Sequence, residues 1–81
     1  MWVNLTDNET EKPCLVNMRH ILDVSIGEEE LGRWSLNFWR DDATNISAVF
    51  PDEKDVTKAY YDVLFGIFSN CKMIDIADDD E

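Results

Sequence analysis

The sequence predicts an α+β fold: a small antiparallel sheet of four to five strands with one C-terminal α-helix packed on one face. Three observations predict it. Apolar and polar residues alternate along most of residues 2–50, the pattern of half-buried strands. After Pro51 the apolar positions change to helical spacing. A hydrophobic content of 44% in 81 residues gives one domain enough apolar surface to offset its ordering entropy, while the chain is too short for two domains. The domain is expected to span 1–76, with 77–81 as an acidic tail.

Trp2-Val3-Asn4-Leu5-Thr6 alternates and reads as a first strand. The polar stretch from Asp7 to Lys12, closed by Pro13, suits a hairpin loop, and Cys14 to Met18 returns as a second strand. From His20 to Ile26 the apolar Leu22, Val24 and Ile26 share one side. This is a third strand, or the second one continued past a bend near Asn17. Gly27 with Glu28, Glu29 and Glu30 reads as a solvated turn.

Gly32 to Trp39 carries the strongest strand pattern, with Trp34, Leu36 and Phe38 on one face and Arg33, Ser35, Asn37 and Trp39 on the other. Arg40 to Thr44 has turn composition, and Asn45 to Phe50 alternates again to complete a hairpin. Asp52 is placed to cap a helix, with Asp55 three residues on as part of a capping box. Val56, Ala59, Tyr60, Val63, Leu64 and Ile67 then form a broad apolar stripe. The helix should end near Phe68 or Ser69, with Asn70 as its C-terminal cap. Gly66 lowers helix propensity inside this stretch and marks a close contact. Lys72 to Ile76 alternates and adds a short edge strand.

Charge narrows the function classes. Eighteen acidic residues against seven basic ones give a net charge of −11. A field of that sign repels phosphate, so direct binding to nucleic acid or to an anionic membrane is disfavoured and a basic protein surface is the expected partner. No run of residues is apolar enough for a membrane span, and no basic region precedes an apolar one at the N-terminus. The expected location is therefore cytoplasmic, and the Asn4, Asn8 and Asn45 triplets read as chance glycosylation matches.

No catalytic pattern emerges. His20 is the single histidine and reads as structural, and carboxylates are too numerous for any pair to signal acid–base chemistry. Cys14 and Cys71 fit no metal or redox spacing and read as reduced, partly buried thiols. The terminal Asp78-Asp79-Asp80-Glu81 lacks the glycine turn of a calcium loop and reads as solubilising. No cofactor is expected.

The order of motifs resembles the small FlbD-type proteins of bacterial flagellar operons. Trp2-Val3-Asn4-Leu5-Thr6 matches a first strand ending in Leu-Thr. Leu15-Val16-Asn17 with Ile21 matches a second strand ending near an Asn and followed by an Ile. Trp34 to Phe50 followed by Val56 matches a hairpin leading into a helix. The resemblance spans roughly the first two thirds of the chain through short motifs. It implies a small fold of this kind and a structural or regulatory subunit. The chain departs from the family pattern in lacking a glycine in each hairpin loop and in its longer, more aromatic helix with an acidic tail.

The leading expectation is a non-enzymatic acidic module that covers a basic, nucleic-acid-binding surface of another protein. In size and charge it resembles phage-encoded inhibitors such as DNA mimics and anti-CRISPR proteins, a likeness of class. Glu28, Glu29, Glu30, Asp41 and Asp42 are the expected steering carboxylates, and Trp39, Tyr61 and Phe65 the expected apolar contacts. The alternative is the FlbD-type subunit, its charge serving solubility only. Self-association through a sheet face bearing Trp39 is a further expectation.

Overall fold

The computed structural model describes residues 1–76. Strands β1 (Trp2–Thr6) and β2 (Pro13–Asn17) form the expected antiparallel hairpin, with Val3 opposite Val16 and Leu5 opposite Cys14. Both Val3 and Leu5 are buried. The loop closes where the Asp7 N–H donates to the Lys12 carbonyl at 3.0 Å, and Glu11 takes a left-handed backbone, φ 59°.

The chain does not continue straight into a third strand of this sheet. The Asn17 side chain accepts from the Arg19 N–H at 3.1 Å and caps a single 3-10 turn, Met18–His20. That turn redirects the chain, so β3 (Ile21–Glu28) joins a second sheet. Among the described residues six strands form, arranged as two sheets of three where the sequence predicts one sheet of four to five. The α+β class holds; one capped turn divides the strands.

The second sheet has the order β3-β4-β5, with β4 at Trp34–Arg40 and β5 at Asn45–Phe50, both pairings antiparallel. Its inner rows are Val24, Phe38, Ile46 and then Ile26, Leu36, Ala48. Leu36, Phe38, Ala48 and Phe50 are fully or almost fully buried. Leu22 departs from the face expected for it. The β3–β4 register slips between Ile21 and Asp23, and Leu22 is left 75% exposed.

Helix α1 (Glu53–Phe68) begins as its sequence signals. The Asp52 carboxylate accepts from the Asp55 N–H at 2.9 Å, and Glu53 and Asp55 lie against the positive end of the dipole. The helix ends in a Schellman motif. Asn70 is left-handed at φ 63°, its N–H donates to the Ile67 carbonyl, and the Cys71 N–H donates to Gly66 at 3.0 Å. Strand β6 (Met73–Asp75) then pairs in parallel with β1, with Ile74 opposite Val3. Gly66 is the close contact its position suggests. A Cβ there would lie 3.0 Å from the Met1 sulfur and 3.2 Å from Ile74 Cγ2.

One core serves both sheets. Val3, Leu5, Val16 and Ile76 from the first, Leu36, Phe38, Ala48 and Phe50 from the second, and Val56, Ala59 and Val63 from α1 form a single buried cluster. The expected tail at 77–81 lies outside the described residues.

Candidate protein-interaction surface

The carboxylates singled out by sequence do not converge. Glu28 closes β3 opposite Trp34 instead of standing in a turn, and Glu29 and Glu30 enter the loop that follows. Asp41 and Asp42 occupy the β4–β5 turn, at the other end of the same strands. The six residue steps of β4 between these ends correspond to about 20 Å.

Several of these groups are also engaged within the chain. Glu29 Oε2 accepts from the Ser35 hydroxyl at 2.7 Å, and Ser35 is 1% exposed. Asn37 donates to Ser35 Oγ at 3.2 Å, and Asn45 donates to Asn37 Oδ1 at 3.3 Å. This polar chain runs along the outer face of β4. Gly27 makes room for it, since a Cβ there would lie 3.2 Å from both Ser35 Oγ and Asn37 Nδ2. Asp42 Oδ1 accepts from the Thr44 hydroxyl at 2.6 Å and from the Thr44 N–H at 3.1 Å. Those bonds, with Arg40 nearby, hold its carboxyl below the usual carboxylate range.

The loop between β3 and β4 holds an exposed apolar residue that no sequence pattern marks. Leu31 adopts φ 60° and is 95% exposed. A branched apolar side chain at positive φ is an uncommon arrangement. The sequence offered no signal for it, because Gly32 next to it is the residue that favours such a backbone.

Trp39 projects from the outer face, as its position in the alternation requires, between Asp23 on β3 and Asn45 on β5. It is 39% exposed, whereas Phe38 beside it is fully buried. Tyr61 and Phe65 fall on the exposed flank of α1, and here the structure assembles more than sequence anticipated. Tyr61, Leu64, Phe65 and Phe68 with Asp62 line a shallow depression. Phe65 and Phe68 are among the most exposed large side chains of the molecule. Ile67, expected within the buried stripe, is 48% exposed. Tyr61, Phe65 and Phe68 lie on the side of α1 opposite the buried Val56, Ala59, Val63 and Gly66, so they face away from the strands.

A groove of about 510 Å³ continues this surface toward β3. Ile21, Leu22 and Val24 form one wall and Tyr60, Leu64 and Ile67 the other, with Met1 and Met18 at one end. Its polar groups are few: Arg19, Asp23 and Asn70 among them.

The other candidates remain apart from this surface. His20 is exposed at the end of the 3-10 turn. Cys14 is half-buried in β2, while Cys71 is exposed after α1 rather than partly buried; both are free thiols. Among the described residues, no helix is long and apolar enough to cross a membrane and no group of His, Cys, Asp or Glu has the geometry of a metal site. Comparison of the chain with protein-family models, curated proteins and solved structures gives no match.

Proposed function

We propose that the chain is a non-enzymatic protein-binding module that engages a basic partner surface, with the exposed end of α1 as the desolvated centre of the contact. One observation carries this reading: Tyr61, Leu64, Phe65 and Phe68 form a contiguous apolar depression on a chain of net charge −11. Aromatic clusters at the middle of an interface contribute most of its free energy, whereas surrounding charges govern encounter rate and partner choice. A protein that handles nucleic acid has the charge this module selects, and inhibition would follow from covering its phosphate-binding surface.

Carboxylates at both ends of the β3-β4-β5 sheet act in this scheme as a steering field. They do not form a row of phosphate substitutes, because the two groups lie too far apart. A second reading, a structural or regulatory subunit of the FlbD type, is favoured by the same apolar cluster if the charge serves solubility alone.

The test is affinity capture with the tagged chain, eluted first by a salt gradient and then by DNA, alongside a Phe65→Ser, Phe68→Ser variant. Partners that are basic, leave at moderate salt, compete with DNA and are lost with the variant support the module. Retention through high salt with loss in the variant assigns the second reading. Capture that ignores both phenylalanines removes α1 from the contact and overturns the proposal.

A further inference from the structure

Among the described residues, β3 presents a long strand edge whose first residues, Ile21 to Val24, line the groove. In the sheet order β3-β4-β5, β3 pairs with β4 on one side, and no described strand pairs with its other side. By contrast, the outer side of β5 is engaged where the Asn8 N–H donates to the Ser47 carbonyl at 2.8 Å. An unpaired edge is a template for another strand, and alternate side chains of that strand would fall on opposite faces of the sheet.

Those two faces differ sharply beside β3. On the inner side, Val24 and Ile26 point toward the core, and the groove offers Leu64 and Ile67. On the outer side stands Asp23, opposite Trp39, and four residues on is Gly27, opposite Ser35. Glu29 reaches over to Ser35 at that point. The outer side of the sheet thus has the exposed Asp23 on β3 and, about 13 Å along the strand, the Glu29 carboxylate held over β3 and β4 by the Ser35 hydroxyl.

The charges decide what fits. A second copy paired through β3 places Asp23 near a carboxylate in each centred register. Asp23 meets the other Asp23, lies diagonal to it across Ser25, or faces Gly27 beside Glu29. Like charges opposed across a ladder are destabilising. The register slip at Leu22 further blunts the edge against self-pairing. Residues 77–81 add four more carboxylates and one alanine, a poor match to an apolar groove. We infer that the edge of β3 and its groove receive an extended segment of a partner protein in which apolar residues alternate with polar ones, with Lys or Arg at two polar positions four apart. The apolar residues enter the groove against Leu64 and Ile67, and the basic ones meet Asp23 and Glu29. This rests on the protein-binding function proposed above and specifies its binding mode as strand addition.

The probe is a synthetic peptide of repeated Lys-Val-Thr-Val units, titrated into the full chain while backbone amide shifts and hydrogen exchange are followed. The expected result is slowed exchange and large shifts at Val24 to Glu28. Binding should weaken by about tenfold or more for Asp23→Lys, a change at an exposed position, and for a peptide carrying Glu in place of Lys. Methylating the peptide nitrogens that face the edge should abolish binding without altering the protein.

Unmoved β3 amides at about 1 mM peptide, a range where even weak contacts register, overturn the inference. So do equal affinities for the methylated and plain peptides, or slowed exchange in β3 that grows with protein concentration alone, which would assign the edge to a second copy. The proposed function fails separately, through capture that is indifferent to Phe65 and Phe68.

Discussion

The two flanks of α1 are nearly equal in apolar content and opposite in fate. Val56, Ala59 and Val63 are buried against the strands. Tyr61, Phe65 and Phe68 carry larger apolar surfaces and remain 59%, 73% and 80% exposed. Small side chains let the helix approach the sheet closely, whereas the large rings lie where no strand reaches. Helix hydrophobicity therefore divides into a part that stabilises the fold and a part that stabilises nothing within the chain. The second part is the better marker of a contact surface.

Disruption of the buried side gives the largest effect. Phe38→Ala, under α1 in the second sheet, is expected to destabilise by about 3–5 kcal/mol, read as a lower midpoint in chemical denaturation. Phe65→Ser and Phe68→Ser should each change stability by less than about 0.5 kcal/mol while reducing partner capture. If the exposed variants also unfold the chain, the contrast between the flanks disappears.

Gly66 sits where the two regions meet. Gly66→Val is expected to cost about 1–3 kcal/mol, because Met1 and Ile74 occupy the space a larger side chain needs. Gly66→Ala gains helix propensity of up to about 1 kcal/mol and meets the end of the flexible Met1 side chain, so the two effects should nearly cancel. A large loss for Ala in thermal melts would show the β6 contact to be more rigid than this.

Asp52→Ala removes the cap that holds the N-terminal end of α1 and should cost about 1 kcal/mol. Asn70→Ala should cost about 1–2 kcal/mol by forcing a Cβ-bearing residue without a polar side chain into the left-handed region. The first loosens the N-terminal end and the second the C-terminal end. Hydrogen exchange along the helix separates them.

The smallest effect concerns Asp42. Its carboxyl is held below the ordinary range by Thr44, so the folded state favours the charged form. The resulting stability is present above the unfolded-state pKa of Asp and is lost as pH falls through the lower folded value. In Thr44→Val the carboxyl should titrate closer to an ordinary Asp, followed by its NMR shift, with the α1 surface unaffected. The backbone N–H of residue 44 still donates in this variant, so an unchanged titration would remove the Thr44 hydroxyl as the leading cause.

Local signals were legible wherever neighbours in sequence also supply the physical cause. The Asp52 cap, the Asn70 terminus, the turn from Arg40 to Thr44 and the inward row of β4 each depend on residues a few positions apart. Leu22 was misread because a one-residue slip against β4 moves it out of line, and β-strand alternation cannot encode such a slip. The buried Ser35 was read as facing outward, which it does; its burial depends on Glu29 folding over it across Gly27. Cys71 and Ile67 are more exposed than their spacing suggests, because coverage depends on which elements pack beside the end of α1.

The sequence by itself determined the α+β class, the hairpins, the single helix and its capped ends, and an electrostatic field that disfavours phosphate. Periodicity, capping and net charge act over one or two turns or over the whole chain, so none of the three requires knowledge of the fold. Tertiary structure decided the division into two sheets, the separation of Glu28–Glu30 from Asp41–Asp42, and which side of α1 stays uncovered, leaving Tyr61, Phe65 and Phe68 exposed. These depend on which elements meet, and a single 3-10 turn at Met18–His20 was enough to change that.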